Sequence, residues 1–386
     1  MTLVAIVGLA LVTTAPTTHA AGCSTPRTTG TSFGTATRVE PSLCELDLHS
    51  GANVLRWDRG ATSPDSAFAG VDFGALHGSF SVWHFNPARR IWSGWGPAAP
   101  LGVSQIKLLE PGKVYFIDAP TAATWTLSRG SIFEGRQVIS FYGFPGIPSM
   151  GALGRYSPAG AIAAVENLAA DYDAVNGDLG VVAAVHPIVA VAQPVPLADG
   201  SYLSRMSMET ISGYVEAARA SGALVFLDIQ IGWADPLDEV KRLEPFLREP
   251  FVHLALDPEF ATAIYNATPG TVIGSLRATD VNRVQAYLAE LVRNESIPPK
   301  ALVLHQFNGI MLIDPAGYDD VAEVEVVIDM DGFGGPAIKT KHYELFGLAE
   351  YSEVPAIKLF FDWDVPLMSP TMIQALNTPP SLVIYH

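Results

Sequence analysis

Residues 137–386 predict an α/β fold, a (β/α)8 TIM barrel, and a small all-β domain precedes it. Three observations carry this. Eight apolar runs of strand length follow one another, at 138–143, 181–186, 224–229, 252–257, 301–306, 325–330, 357–362 and 382–385. Segments of helical period separate them, so the strands are parallel and covered on both faces. Eight such units in about 250 residues match the size of a closed barrel. The rival is a doubly wound open sheet. It usually carries a phosphate-binding glycine fingerprint, and neither GxGxxG nor GxxxxGK[ST] occurs here.

The helices are read in order. One over 159–175 follows Ser157-Pro158, a capping residue and a first-turn proline. One over 209–220 stops at Gly222, and a third covers 237–247. The fourth, 280–293, places Val281, Val284, Leu288, Leu291 and Val292 on one stripe. Segments 341–349 and 371–376 complete the set, and 314–322 is a weak helix at best.

The rest of the chain has other textures. The apolar run at residues 1–12 is too short to span a bilayer, which needs about 20 residues. With the small and polar residues after it, it reads as a signal peptide over 1–20, although no Lys or Arg precedes the run. The chain is therefore expected to be secreted or extracytoplasmic. Residues 21–45 are rich in Thr, Ser and Gly and read as a tether. The chain has two cysteines, Cys23 and Cys44. A bond between them would stabilise the fold by about 3 kcal/mol in the chain-entropy model. Alternatively, Ala20-Ala21-Gly22-Cys23 resembles a bacterial lipobox, and a lipid on Cys23 would tether the chain to a membrane.

Residues 46–130 alternate short apolar stretches, at 53–57, 79–85 and 113–118, with Gly/Pro turns, as a small β domain does. Five of the seven tryptophans fall here: Trp57, Trp83, Trp92, Trp95 and Trp125. They read as a core of large side chains or as a platform for sugar rings. The segment resembles small β modules of secreted bacterial proteins that close on Pro-Gly-x-x-Tyr-Phe-Ile, here residues 111–117, which implies an accessory role.

Charged residues are only 16% of the chain, and the net charge is −16. With no long Lys/Arg run, a nucleic-acid partner is excluded. The chemistry is sought where barrel enzymes keep it, at the C-terminal ends of the strands. Alternate strand residues share a face. On that rule the strands end in Tyr142, His186, Asp228 with Gln230, Asp257 with Glu259, His305, Asp329, Asp362 and Tyr385. Asp331-Gly332 and Asp364-Val365-Pro366 read as turns, so Asp331 and Asp364 are given no role. Two carboxyls in a partly dry pocket cannot both ionise cheaply, so Asp257-Pro258-Glu259 stands out.

That Asp-x-Glu on the fourth strand resembles secreted barrel glycosidases of the chitinase and muramidase type. The resemblance implies that Glu259 protonates the leaving oxygen and that Asp257 assists it. In place of the longer chitinase run of acids, Val252-His253-Leu254-Ala255 precedes Asp257, and Tyr142 stands where muramidases carry Asp. Asp228, Asp329 and His305 are the candidate catalytic partners of Glu259. Tyr142, His186, Gln230, Gln306, Asp362, Trp363 and Tyr385 are expected to line the substrate site, which suits a polysaccharide or a cell-envelope glycan. No cofactor or metal is expected in this reading.

Two other readings stay open. His186, Asp228, Asp257, His305 and Asp329 could ligate a metal in a hydrolase of phosphodiester or deacetylation chemistry, although no His-x-His spacing occurs. A barrel that only binds carbohydrate is the other. Serine hydrolase chemistry is disfavoured, because no Gly-x-Ser-x-Gly elbow is present.

Overall fold

In a computed structural model of the chain, the described residues are 18–20, 44–56, 64–68, 71, 73–87, 89–98, 105–106, 109, 113–127 and 131–386 without 178 and 296. The chain divides into two compact units, with the break between Leu127 and Ser128.

The C-terminal unit is the barrel. Its strands are β1 (Arg136–Gly143), β2 (Gly180–Ala192), β3 (Leu224–Ile229), β4 (Val252–Leu256), β5 (Lys300–Gln306), β6 (Val324–Met330), β7 (Val354–Leu359) and β8 (Leu382–Tyr385). Each pairs in parallel with the next, and β8 pairs back onto β1, which closes the sheet. The connecting helices are α1 (Pro158–Asp173), α2 (Met208–Ser221), α3 (Pro236–Arg242), α4 (Glu244–Leu247), α5 (Ala278–Glu295), α6 (Pro336–His342) and α7 (Pro370–Gln374). Local chemistry sets their ends. The Ser157, Ser207, Asp235 and Ser369 side chains accept backbone N–H groups at the starts of α1, α2, α3 and α7. Gly222 closes α2 in the left-handed conformation that glycine tolerates best. The weak helix at 314–322 is only a short turn, Pro315–Gly317.

Two apolar layers hold the barrel. Side chains such as Ile139, Val225, Leu254, Leu302, Ile328 and Ile357 face the helices. Ala184, Phe226, Ala255, Val303, Val327, Ala356 and Ile384 fill the interior, so the barrel is a packed core and not a pore.

The seventh strand departs from expectation. It spans Val354–Leu359 rather than 357–362. The run Phe360-Phe361-Asp362-Trp363 is apolar enough to pass for strand, but it turns. Asp364 accepts the Phe360 N–H through its carboxyl at 2.8 Å, and its own N–H donates to the Phe360 carbonyl at 3.0 Å. The strand β2 is longer than expected, because the apolar run continues past Pro187 and pairs with Leu203–Arg205 beyond the barrel rim.

The N-terminal unit is a mainly antiparallel five-stranded sheet in the order 18–20, 51–56, 114–119, 81–86, 91–95, with a separate pair of Cys44–Leu48 and Ala123–Leu127. Thr18–Ala20, expected at the cleavage site, pairs in parallel with Val54–Arg56. The tryptophans divide between core and surface. Trp95 and Trp125 are core: Phe68 stacks on both, and the Trp125 indole donates to the Ala67 carbonyl. Trp83 and Trp92 lie about half exposed on the other face, at 44% and 52%. Trp57, Cys23 and residues 21–43 lie outside the described residues, and with them the expected tether and Cys23–Cys44 bond.

Candidate functional site

The interior layer predicts its own continuation. Two residues beyond Ala184, Phe226, Ala255, Val303, Val327, Ala356 and Ile384 stand His186, Asp228, Asp257, His305, Asp329, Lys358 and His386. On β1 the same step leads from Ser140 to Tyr142. Every strand thus sends one polar side chain to the barrel mouth, directly above an apolar floor.

Contacts bind these residues into one cluster. The Tyr142 hydroxyl donates to Asp228 Oδ2 at 2.9 Å. His305 Nε2 lies 3.6 Å from Asp228 Oδ1, and its Nδ1 lies 2.9 Å from Asp329 Oδ2 and 3.3 Å from Asp331 Oδ2. Lys358 Nζ reaches Asp331 Oδ2 at 3.1 Å and sits 3.5 Å over the Tyr142 ring. His186 packs against Tyr142, His305 and Phe226. Asp257 accepts the Glu259 N–H at 3.0 Å, which starts the short turn Pro258–Phe260 and places Glu259 half-buried at the lip.

Buried charges this close set one another's protonation. Burial raises Glu259, and Asp331 raises it further, against Lys358 and His305. Burial also lifts Asp257 well above the usual carboxylate range, with Asp228 and Glu259 adding to it against His305. Asp329 is raised by burial in spite of His305. Asp331 goes the other way. Burial would raise it, but the Lys358 ammonium, with His305, holds it well below the usual range. Asp228 is lowered for the same kind of reason: burial is outweighed by His305, His186 and Lys358. In turn, burial would lower Lys358, yet Asp331, Asp329 and Asp257 raise it.

The lip above this layer is aromatic. Trp363 is 52% exposed and stacks on Phe360, with ring centroids 5.3 Å apart. Phe333 and His386 pack against Trp363. A cavity of about 160 Å³ opens here, lined by Pro148, Ser149, Gly151, Arg155, Asp362, Trp363 and His386. Its near wall depends on glycine. Gly143 and Gly151 have positive φ, and a Cβ on either would lie 2.5 Å from a backbone oxygen of the other strand of this contact. The close approach folds residues 148–155 over the mouth, where Arg155 pairs with Asp362 at 2.7 Å.

Tyr142, His186, Asp228, Asp257, His305 and Asp329 therefore gather as expected, with Glu259, Asp362 and Trp363 at the lip. Gln230 sits at the rim, where it accepts the Ala192 N–H at 3.0 Å. Two expectations are corrected. Tyr385 faces outward and shares a hydrogen bond of 2.8 Å with the Tyr172 hydroxyl of α1, because β8 directs Ile384 and His386 inward. Gln306 follows inward His305 and so faces outward, accepting from the Tyr351 hydroxyl at 2.9 Å.

Lys358 and His386 are members that the strand-end reading missed, and Asp331, read there as a turn residue, is a third. A lysine inside the run Ala356-Ile357-Lys358-Leu359 was a visible signal, since a buried strand carries a charge only where it has partners. Asp364, by contrast, is the turn residue expected: it accepts the Gly334 and Phe360 N–H groups and pairs with Lys339. Trp233 covers a loop, donating to Thr262 and Ala267. No protein-family model matches the chain, and no curated protein matches it.

Proposed function

We propose that the barrel hydrolyses glycosidic bonds in a polysaccharide or cell-envelope glycan outside the cytoplasm, with Glu259 as the general acid. One observation carries this reading: two carboxyls at the same mouth are pushed apart in protonation, Glu259 upward and Asp331 downward. Glycoside hydrolysis asks for that division. Glu259 delivers its proton to the leaving glycosidic oxygen. Asp331, kept ionised by Lys358, either bonds to the anomeric carbon and is then displaced by a water that gives its proton to Glu259, or takes a proton from the water that attacks that carbon directly. A carboxyl separation of about 5–5.5 Å selects the first route, and about 6.5–9.5 Å the second. Asp331 thereby replaces Asp329 as the preferred partner, since Asp329 is raised and spent on orienting His305. Asp257 positions Glu259 through its backbone N–H. The exposed Trp363 and Phe333 supply apolar faces for a sugar ring.

The test is release of reducing ends from chitin, peptidoglycan and neutral β-glucans by the full chain and by Glu259→Gln. The expected result is turnover on one class and a loss of about 10²–10⁴-fold in the variant. A glycan that binds equally to both proteins and is cut by neither would show a binding barrel instead.

A further inference from the structure

Three side chains at the mouth hold four atoms with no hydrogen-bond partner: Asp228 Oδ1, His305 Nε2 and both ring nitrogens of His186. All three side chains are fully buried. Leaving such atoms unpaired costs about 1–3 kcal/mol each, so a cluster of them asks what would satisfy it. One ligand atom from each of the three lies within 4.8 Å of the others. We infer that His186, Asp228 and His305 form a site for one divalent transition-metal ion on the floor of the mouth.

The surroundings are those of a metal site. His305 directs Nδ1 at Asp329 Oδ2, 2.9 Å away, which leaves Nε2 on the side of Asp228 Oδ1. A carboxylate behind a ligating histidine fixes ring orientation and strengthens the ligand. Asp228 is held in the same way, because its other oxygen accepts the Tyr142 hydroxyl at 2.9 Å. His305 Nε2 and Asp228 Oδ1 are 3.6 Å apart, too long for a good hydrogen bond and suited to two ligands of one ion. At metal–ligand distances of about 2.0–2.2 Å, the ligand atoms of a tetrahedral site sit roughly 3.3–3.6 Å apart, so the His305–Asp228 pair already fits and His186 closes on it by at most about 1.5 Å. Two imidazoles and one carboxylate suit Zn²⁺, Co²⁺ or Fe²⁺ better than Mg²⁺ or Ca²⁺, which prefer all-oxygen shells. The metal site shares His305 with the proposed catalytic site, where that histidine helps to lower Asp331, and the ion would take the place of its Nε2 proton. It needs no substrate, and Glu259 and Lys358 take no part in it.

The test is calorimetric titration of the chelator-treated full chain with Zn²⁺, and with Mg²⁺ alongside. The expected result is one Zn²⁺ per chain, a raised unfolding temperature, and no heat from Mg²⁺. Asp329→Asn keeps the shape beside His305 and should weaken Zn²⁺ binding about 10–100-fold, and His186→Ala by at least as much. Where His186→Ala does not fold, Asp329→Asn together with the visible absorption of the Co²⁺-loaded wild type carries the test. Absence of stoichiometric Zn²⁺ binding, or an affinity unchanged in Asp329→Asn, overturns the inference. A buried water would then be the occupant.

Discussion

The barrel buries a lysine at each end, and the two have opposite surroundings. At the base, Lys300 gives its ammonium to two neutral acceptors, the Glu249 and Val252 carbonyls at 2.6 and 2.8 Å. Burial pushes it down to about 7. At the mouth, Lys358 is equally buried but faces Asp331, Asp329 and Asp257, which hold its proton on. The base lysine ties β5 to the start of β4 and could be neutral without loss. The mouth lysine sets the ionisation of its neighbours. A buried charge is thus informative through its partners: carbonyls mark architecture, and carboxylates with spare lone pairs mark chemistry.

Replacing the two lysines separates these roles. Lys358→Met leaves Asp331 buried with a weaker counter-charge, and should cost about 3–5 kcal/mol in urea unfolding. It should also abolish turnover, as Asp331 loses the group that keeps it ionised. Lys300→Met leaves only carbonyls without a partner and should cost about 1–3 kcal/mol, with turnover retained. Equal costs, or activity surviving in Lys358→Met, would break the comparison.

The two ends should also differ in pH dependence. Because the Lys300 pKa is lower in the folded chain, the unfolded chain binds the extra proton between about pH 7 and 10.5. Stability of the wild type relative to Lys300→Met should therefore rise across that window. Lys358 has the opposite sign: its contribution is complete below the ordinary lysine range and fades only as pH climbs through its raised value. Unfolding temperatures between pH 6 and 10 should therefore rise with pH on account of Lys300 and stay flat on account of Lys358. The smallest effect belongs to the lip. Arg155→Ala removes an exposed ion pair and should cost no more than about 1 kcal/mol, while raising KM more than it lowers kcat.

Much of this was legible in the sequence, for definite reasons. Eight apolar runs with helical spacers specify the barrel, and the alternation rule located Tyr142, His186, Asp228, Asp257, His305 and Asp329. It fails where the phase of a strand is ambiguous in the sequence. Phe360-Phe361 extends the apolar pattern of β7 into a turn, which moved the expected strand end from Lys358 to Asp362. The four residues of β8 give no phase of their own, since Val383 and Tyr385 are as apolar as Ile384. Asp331-Gly332 has the pattern of a common Asp-Gly turn, so local sequence gives Asp331 no role. Its pairings with Lys358, 27 residues away, and with His305 give it another role. Such long-range pairings are invisible to local pattern.

The central claim is that Glu259 supplies the proton to the leaving group. It is tested most directly by comparing wild type and Glu259→Gln on two glycosides of the same sugar, one with a poor alkoxide leaving group and one with a nitrophenolate that departs without protonation. The account predicts a loss of about 10²–10⁴-fold on the first and little loss on the second. Equal losses on both, or no loss on either, would contradict it.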